Sequence, residues 1–360
     1  MDFEKLHERL ANIEQVARIT PYEVTGGRGA GMRACDVVNG GGLTFTVRED
    51  MCLDIARLSY KGVNLSYLTG AGLLAPQFLN VPDSDEVNLF KTWPGGMVYT
   101  LGLQNVGVPC EDEGIRHPFH GNIAHTAAES LCRSFERAGP AAAAGGAGQP
   151  CLRVAGEMHE TYLYAESLTL RREITTPVGG KSVSIRDEVR NEGFGSAGIM
   201  FGYHINFGYP LLDAGTAFVI PSTGATPRDA YSESRLSDWP AMGAPDAAAQ
   251  VQSMYHNARS AEDGRTAFAV VNDALGLGLA VRYNKRRLCN LLQLKLEAPG
   301  NYLAFIEPLN CLVEGRADER RRGTLQTLEP GARMEFGITL EVLEGAEEIE
   351  AFRAEACALG

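Results

Sequence analysis

Residues 167–190, SLTLRREITTPVGGKSVSIRDEVR, hold two candidate strands, 167–175 and 182–190. Between them Val178-Gly179-Gly180-Lys181 is a short connection with two glycines, suited to the positive φ angles of a tight hairpin. The pattern repeats outward. Leu43, Phe45 and Val47 alternate with Thr44, Thr46 and Arg48, the period of two of a half-buried strand. Further candidate strands fall at 53–60, 97–103, 152–158 and 198–204, then at 266–271, 277–283, 291–296, 302–306 and 335–342, with Gly, Pro or Asn in most of the gaps. Many strands with few helix signals predict an all-β, antiparallel sandwich.

Two stretches depart from that pattern. Residues 3–16 place Leu6, Leu10 and Ile13 at helical spacing and predict a short amphipathic N-terminal helix within a segment spanning 1–20. Residues 344–358 are acidic and rich in helix formers. The low-complexity run 138–150 (AGPAAAAGGAGQP) reads as a hairpin loop, because strand pattern continues on both sides. The long polar excursion 221–257 reads as a loop wrapping the sandwich or covering one face. No shift in composition divides the chain, so residues 1–360 are expected to form one domain.

Composition narrows the function. The 45 acidic and 33 basic side chains give a net charge of −12, the wrong sign for a nucleic-acid binder, which needs clustered cations. No apolar run reaches the ~18 to 20 residues of a membrane span. Met1 is followed by a charged segment, Asp2-Phe3-Glu4-Lys5, rather than a secretory apolar core. Eight scattered cysteines without a CxxC pair suit a reduced, cytoplasmic protein in which they act as small apolar side chains. A homodimer is compatible with all of this.

Ala304-Phe305-Ile306-Glu307-Pro308-Leu309-Asn310 is the most informative stretch for chemistry. An apolar run delivers one carboxylate, and Pro308 is expected to end the strand there, leaving Glu307 at a sheet rim. His204 follows another apolar run, Ile199-Met200-Phe201-Gly202-Tyr203, and Asn206 lies two residues on, where a strand would point both to one side. A third cluster runs from Asn105 through Glu111 and Asp112 to His117, His120 and His125, in a loop-like stretch that suits a ligand-facing loop. Its HxxH spacing leaves metal ligation open.

His120-Gly121, the run from Ser184 to Gly193, His204 with Asn206, Ile306-Glu307-Pro308 and Leu328-Glu329-Pro330-Gly331 occur in an order that resembles the aldose 1-epimerase (galactose mutarotase-like) superfamily. The chain is more closely similar to a bacterial branch of it described as a domain of unknown function. That branch carries runs seen here at Gly102 to Gly107, at Pro109 to Gly114 and at His120-Gly121. The likeness extends from about Leu43 to Val342. It implies a β-supersandwich whose concave face takes a monosaccharide. By position, Glu307 resembles the family's general base, His204 its general acid and His120 a second sugar-contacting histidine, with Asn206 on the same wall.

The chain departs from the family's well-known members around Gly202-Tyr203-His204-Ile205-Asn206, and it has Met51 where the branch often has arginine. No metal or redox cofactor is implied, because a carboxylate and an imidazole supply acceptor and donor for ring opening. Asp54, Arg57, Asn105, Glu111, Asp112, Gln293 and Lys295 are further candidates for binding sugar hydroxyls or a carboxylate. Gln293 and Lys295 share one strand face by alternation. Two competing readings stand beside this one: a carbohydrate-binding protein without turnover, and a metal-dependent sugar isomerase or epimerase using Glu111, His117, His120 or His125 as ligands.

Overall fold

The computed structural model describes residues 8–79, 89–137 and 149–359. Every strand pairing in it is antiparallel, and three large sheets carry the fold. The hairpin at 178–181 joins Ser167–Pro177 to Ser182–Asn191, as the sequence predicts, at the centre of an eight-stranded sheet. In spatial order that sheet runs Ala217–Val219, Arg265–Asn272, Leu277–Asn284, Arg333–Glu344, Ser182–Asn191, Ser167–Pro177, Cys151–Thr161 and Glu129–Glu136. The last two strands flank the low-complexity run and pair antiparallel; most of that run lies outside the described residues.

The second sheet orders Ser222–Pro227, Gln252–Ala258, Asn290–Ala298, Asn301–Leu309, Ala197–Phe207 and Gln326–Leu328, with Val98–Leu103 also pairing to Ala197–Phe207. A five-stranded sheet from residues 18 to 64 packs beside them. One apolar core draws residues from all three sheets, from Ala17 to Val342. Val183, Ile185 and Val189 enter it from the hairpin, and Ile199, Phe201, Tyr203, Ile205 and Phe207 from the second sheet. Burying a side chain of this size contributes about 1.5–3 kcal/mol.

Three expectations need correction. The helix predicted over 3–16 falls partly outside the described residues, and from residue 8 the chain makes only a 3-10 turn, Ile13–Gln15, capped by the Asn12 side chain. The chain then enters strand Arg18–Glu23, which pairs with Arg33–Val38. Its partner Arg33–Val38 lies within a glycine-rich stretch, 26–42. The polar excursion 221–257 contains two strands, Ser222–Pro227 and Gln252–Ala258, with the intervening residues folded over the second sheet. Finally, Pro308 does not end its strand. Asn301–Leu309 continues through it, and the ladder to Ala197–Phe207 is unpaired at Pro308, where the missing N–H costs nothing.

Behind the second sheet lies a buried ionic cluster. Arg172 donates Nε and Nη2 to Asp187 at 2.8 and 2.7 Å, and Nη1 to Asp54, Thr100 and the carbonyl of Cys52. Thr100 donates to both oxygens of Asp54, and Tyr203 donates its hydroxyl to Asp187 at 2.6 Å. Asp187→Ala breaks a buried ion pair and leaves Arg172 Nε and Nη2 and the Tyr203 hydroxyl without their acceptors, so it should destabilise the protein by about 3–5 kcal/mol, read from the urea midpoint at unchanged slope.

Candidate active site

Strand register brings the predicted residues together. The pairs Ile205 to Ile306 and Gly202 to Leu309 place His204 directly opposite Glu307 on the neighbouring strand. Glu307 pairs in turn with Leu292, Leu292 with Tyr255, and His204 with Tyr99 on its other side. A row of side chains, Tyr255, Leu292, Glu307, His204 and Tyr99, thus crosses five strands on one face. The neighbouring row adds Leu294, Phe305 and Asn206. Alternation sends Tyr203 and Ile205 into the core and His204 and Asn206 to the opposite face.

That face floors a cavity of about 330 Å³, within the size range of small-molecule sites. Leu89, Phe90 and Trp93 close one side, and Val108, Phe119, His120 and Val313 another. Trp93 meets the edges of His204 and Phe305, with ring centroids 5.2 and 5.4 Å apart. Arg228 also lines the cavity.

Each histidine is fixed by its second nitrogen. Asn206 donates Nδ2 to the carbonyl of Gly96 at 2.6 Å, which turns its Oδ1 toward His204 Nδ1. His204 therefore carries its proton on Nδ1 and offers Nε2 to Glu307 Oε1, 3.3 Å away. His120 is the reverse. The Gly107 N–H donates to His120 Nδ1 at 3.1 Å, and the His120 N–H donates back to the Gly107 carbonyl, leaving Nε2 as the protonated nitrogen. This pairing holds His120 at φ +61° and Gly107 at φ +82°. A Cβ on Gly107 would lie 1.7 Å from the Val313 carbonyl oxygen, so only glycine fits there.

Burial sets the electrostatics. Glu307 is pushed up to about 8 by desolvation, which Arg228 partly opposes. His204 is pushed down to about 4 by the same burial, with the Asn206 hydrogen bond acting the other way. His120 lies well below its ordinary value through burial and the nearby His204 and Arg228, so it stays neutral. Near neutral pH the Glu307–His204 pair holds one transferable proton. The Glu307 Oε2 atom is buried and has no hydrogen-bond partner among the described residues.

The other sequence candidates lie elsewhere. Asp54 belongs to the buried Arg172 cluster, and Arg57 is exposed on the Asp54–Tyr60 strand. Glu111 is exposed on a two-stranded hairpin, while Asp112 pairs with Arg316 and Arg320. Asn105 holds the loop leading to His120, donating to the carbonyls of Val108 and Pro118 and accepting from the Arg316 N–H. Gln293 and Lys295 do share a face, but it is the one under residues 238–241: Gln293 meets His256 and the Trp239 carbonyl, and Lys295 the carbonyls of Asp238 and Ala241. Their neighbours Leu292 and Leu294 face the cavity instead.

The histidines of the loop also separate. His117 is buried beside Asp112 and Arg316, and His125 contacts the Tyr99 hydroxyl at 2.9 Å. Among the described residues, no three His, Cys, Asp or Glu side chains gather as metal ligands would. Sequence reasoning missed Trp93, Arg228, Phe305, Leu292 and Leu294. Period-two spacing from Glu307 points to Phe305; no motif marks Arg228.

Residues 29–342 match the family model described as Domain of unknown function (DUF4432). The chain belongs to that family. A protein from Klebsiella pneumoniae subsp. pneumoniae MGH 78578 described as a "putative aldose 1-epimerase" superposes with a TM-score of 0.88 over 98% of this chain and 94% of that one, at 21% identity. A galactose mutarotase-like protein from Clostridium acetobutylicum gives 0.61 over 92% and 99%, at 10% identity. A galactose 1-epimerase from Lactobacillus acidophilus NCFM gives 0.57 over 91% and 99%, at 12% identity. At these identities the likeness establishes the fold, a galactose mutarotase-like β-sandwich. No curated protein sequence matches the chain.

The opposed tautomers are directly measurable. Nitrogen-15 NMR of the imidazoles near pH 7 should find His204 protonated on Nδ1 and His120 on Nε2. Asn206→Leu should remove the His204 preference and leave that of His120 in place.

Proposed function

We propose that this protein is a sugar epimerase of aldose 1-epimerase type, interconverting the anomers of a monosaccharide by acid–base ring opening. The observation that carries this reading is the His204–Glu307 pair: one transferable proton on two side-by-side groups at the floor of a cavity, with Glu307 Oε2 unpartnered among the described residues. The named relatives, including a galactose 1-epimerase, support the same class.

Ring opening breaks the bond between the anomeric carbon and the ring oxygen. The anomeric hydroxyl gives up its proton and the ring oxygen receives one. Both oxygens are bonded to a single carbon, so the base and the acid must stand close together. With Nδ1–H held by Asn206, the shared proton placed on Nε2 makes an imidazolium beside a carboxylate. That form is a tautomer of the neutral pair, reached without exchange with solvent. Glu307 then accepts the hydroxyl proton and His204 protonates the ring oxygen. After rotation about the next carbon–carbon bond the ring closes on the other face, and the two groups reverse roles. His120 donates Nε2–H to a substrate oxygen, while Trp93 and Phe305 supply flat apolar surface for the sugar's C–H face.

Glu307→Gln keeps the shape and removes the base, so anomer exchange followed by NMR should fall about 10²- to 10⁴-fold. Binding of sugar with no exchange by the native protein, unchanged in Glu307→Gln, would instead indicate a carbohydrate-binding protein.

The pH profile follows from the pair. Above about 8, Glu307 loses its proton and the pair has none for the ring oxygen. Below about 4, His204 gains a second and Glu307 cannot accept. The rate should be flat between these limits and fall on both sides, measured as kcat/KM against pH.

A further inference from the structure

Arg48 ends strand Leu43–Arg48 and is 1% exposed. Strand pairing sets it opposite Asp54, but the Asp54 oxygens go to Arg172 and Thr100, and Arg48 forms no ion pair among the described residues. Its one hydrogen bond runs from Nη2 to the Gly95 carbonyl at 3.1 Å, and Nε is buried with no partner among the described residues. An arginine stays charged inside a protein. This is therefore a buried cation with no carboxylate in ion-pair contact and with a donor left over. Such a group destabilises a fold relative to apolar packing of the same volume. The compensating gain lies in what the guanidinium holds.

It holds the turn at Gly95-Gly96. A Cβ on Gly96 would lie 2.9 Å from Arg48 Nη2 and 3.2 Å from the Ile55 carbonyl oxygen, so this backbone rests directly on the arginine. The Gly96 N–H donates to the Tyr67 carbonyl at 2.9 Å. The Gly96 carbonyl is then the acceptor that turns Asn206 Oδ1 toward His204. A chain of contacts thus runs from Arg48 through Gly95, Gly96 and Asn206 to His204, and of these only His204 lines the cavity. The arginine's charge acts on Asp54, Tyr99 and His125, whereas the pKa values of His204 and Glu307 carry no contribution from it. Its link to His204 is one of orientation.

We infer that Arg48 is a positioning residue for His204: its buried guanidinium fixes the Gly95-Gly96 turn so that the Gly96 carbonyl holds Asn206, and some stability is given up for that placement. The catalytic consequence rests on the epimerase reading above. The tautomer of His204 that Arg48 enforces does not, because it exists without substrate.

The test combines nitrogen-15 NMR of the imidazoles with anomer-exchange kinetics on native protein, Arg48→Met and Arg48→Lys, each checked for native fold by circular dichroism. Arg48→Met should lose the Nδ1–H preference of His204 and keep the Nε2–H preference of His120. Its kcat should fall about 10- to 100-fold with KM unchanged, because a misdirected acid slows the chemical step and leaves the cavity lining intact. Arg48→Lys keeps a donor for the Gly95 carbonyl and should retain the His204 preference. Adding Arg48→Met to Asn206→Leu should change His204 no further, since the two residues act in series. A lowered urea midpoint in Arg48→Met with the native His204 tautomer would mark a merely structural arginine and overturn the inference. A further change of His204 in the double variant overturns it too, as does loss of the preference in a folded Arg48→Lys, which decides the matter should Arg48→Met not fold. If the native protein accelerates no sugar, the epimerase reading falls, and the tautomer of His204 in these variants still decides the role of Arg48.

Discussion

Arg172 is the tie on which the arrangement of the three sheets depends. It extends from the eight-stranded sheet, pairs within that sheet to Asp187, and reaches Asp54 on the five-stranded sheet and Thr100 on the second. Tyr203 closes the circle from the strand that carries His204. All of this is buried, so every donor and acceptor must find its partner inside the protein. The spacing of three sheets is thereby set by a handful of directional contacts as well as by apolar packing. Thr100 and Tyr203 lie next in sequence to Tyr99 and His204, so the cluster fixes the backbone that presents the cavity floor.

The same burial that makes those contacts obligatory gives the cavity its chemistry. In water a glutamate is ionised and a histidine only partly protonated at neutral pH. Buried side by side at the floor of a largely apolar hollow, they converge until one proton serves both. Asn206 and Gly107 then decide which nitrogen of each imidazole faces inward. They touch no reacting atom in this scheme, yet without them the imidazoles could present the wrong nitrogen.

Much of this was legible in the sequence. Glu307, His204, Asn206 and His120 were readable because apolar runs marked two strands and the ordered motifs joined distant segments. The strands missed include Arg18–Glu23 and Ser222–Pro227 at sheet edges and their inner neighbours Arg33–Val38 and Gln252–Ala258, short pieces in which polar residues break the apolar alternation. Alternation correctly put Gln293 and Lys295 on one face, but a period of two cannot say which face looks into the cavity. That depends on pairing to Asn301–Leu309, where Leu292 falls opposite Glu307. Asp54 and Asp112 show a second limit. A carboxylate that binds a buried arginine and one that binds a sugar carry the same letter, and only the partner distinguishes them.

The strand Ala197–Phe207 is buried along both of its faces, one turned to the ionic cluster and the core, the other to the cavity. Its two sets of side chains are interleaved residue by residue. Gaining or losing a single residue before position 204 would exchange the two sets wholesale. The imidazole would be driven among Arg172 and Asp187, and a phenol would take its place beside Glu307. For this segment, drift over evolutionary time is confined to replacement, and length is the property that cannot vary.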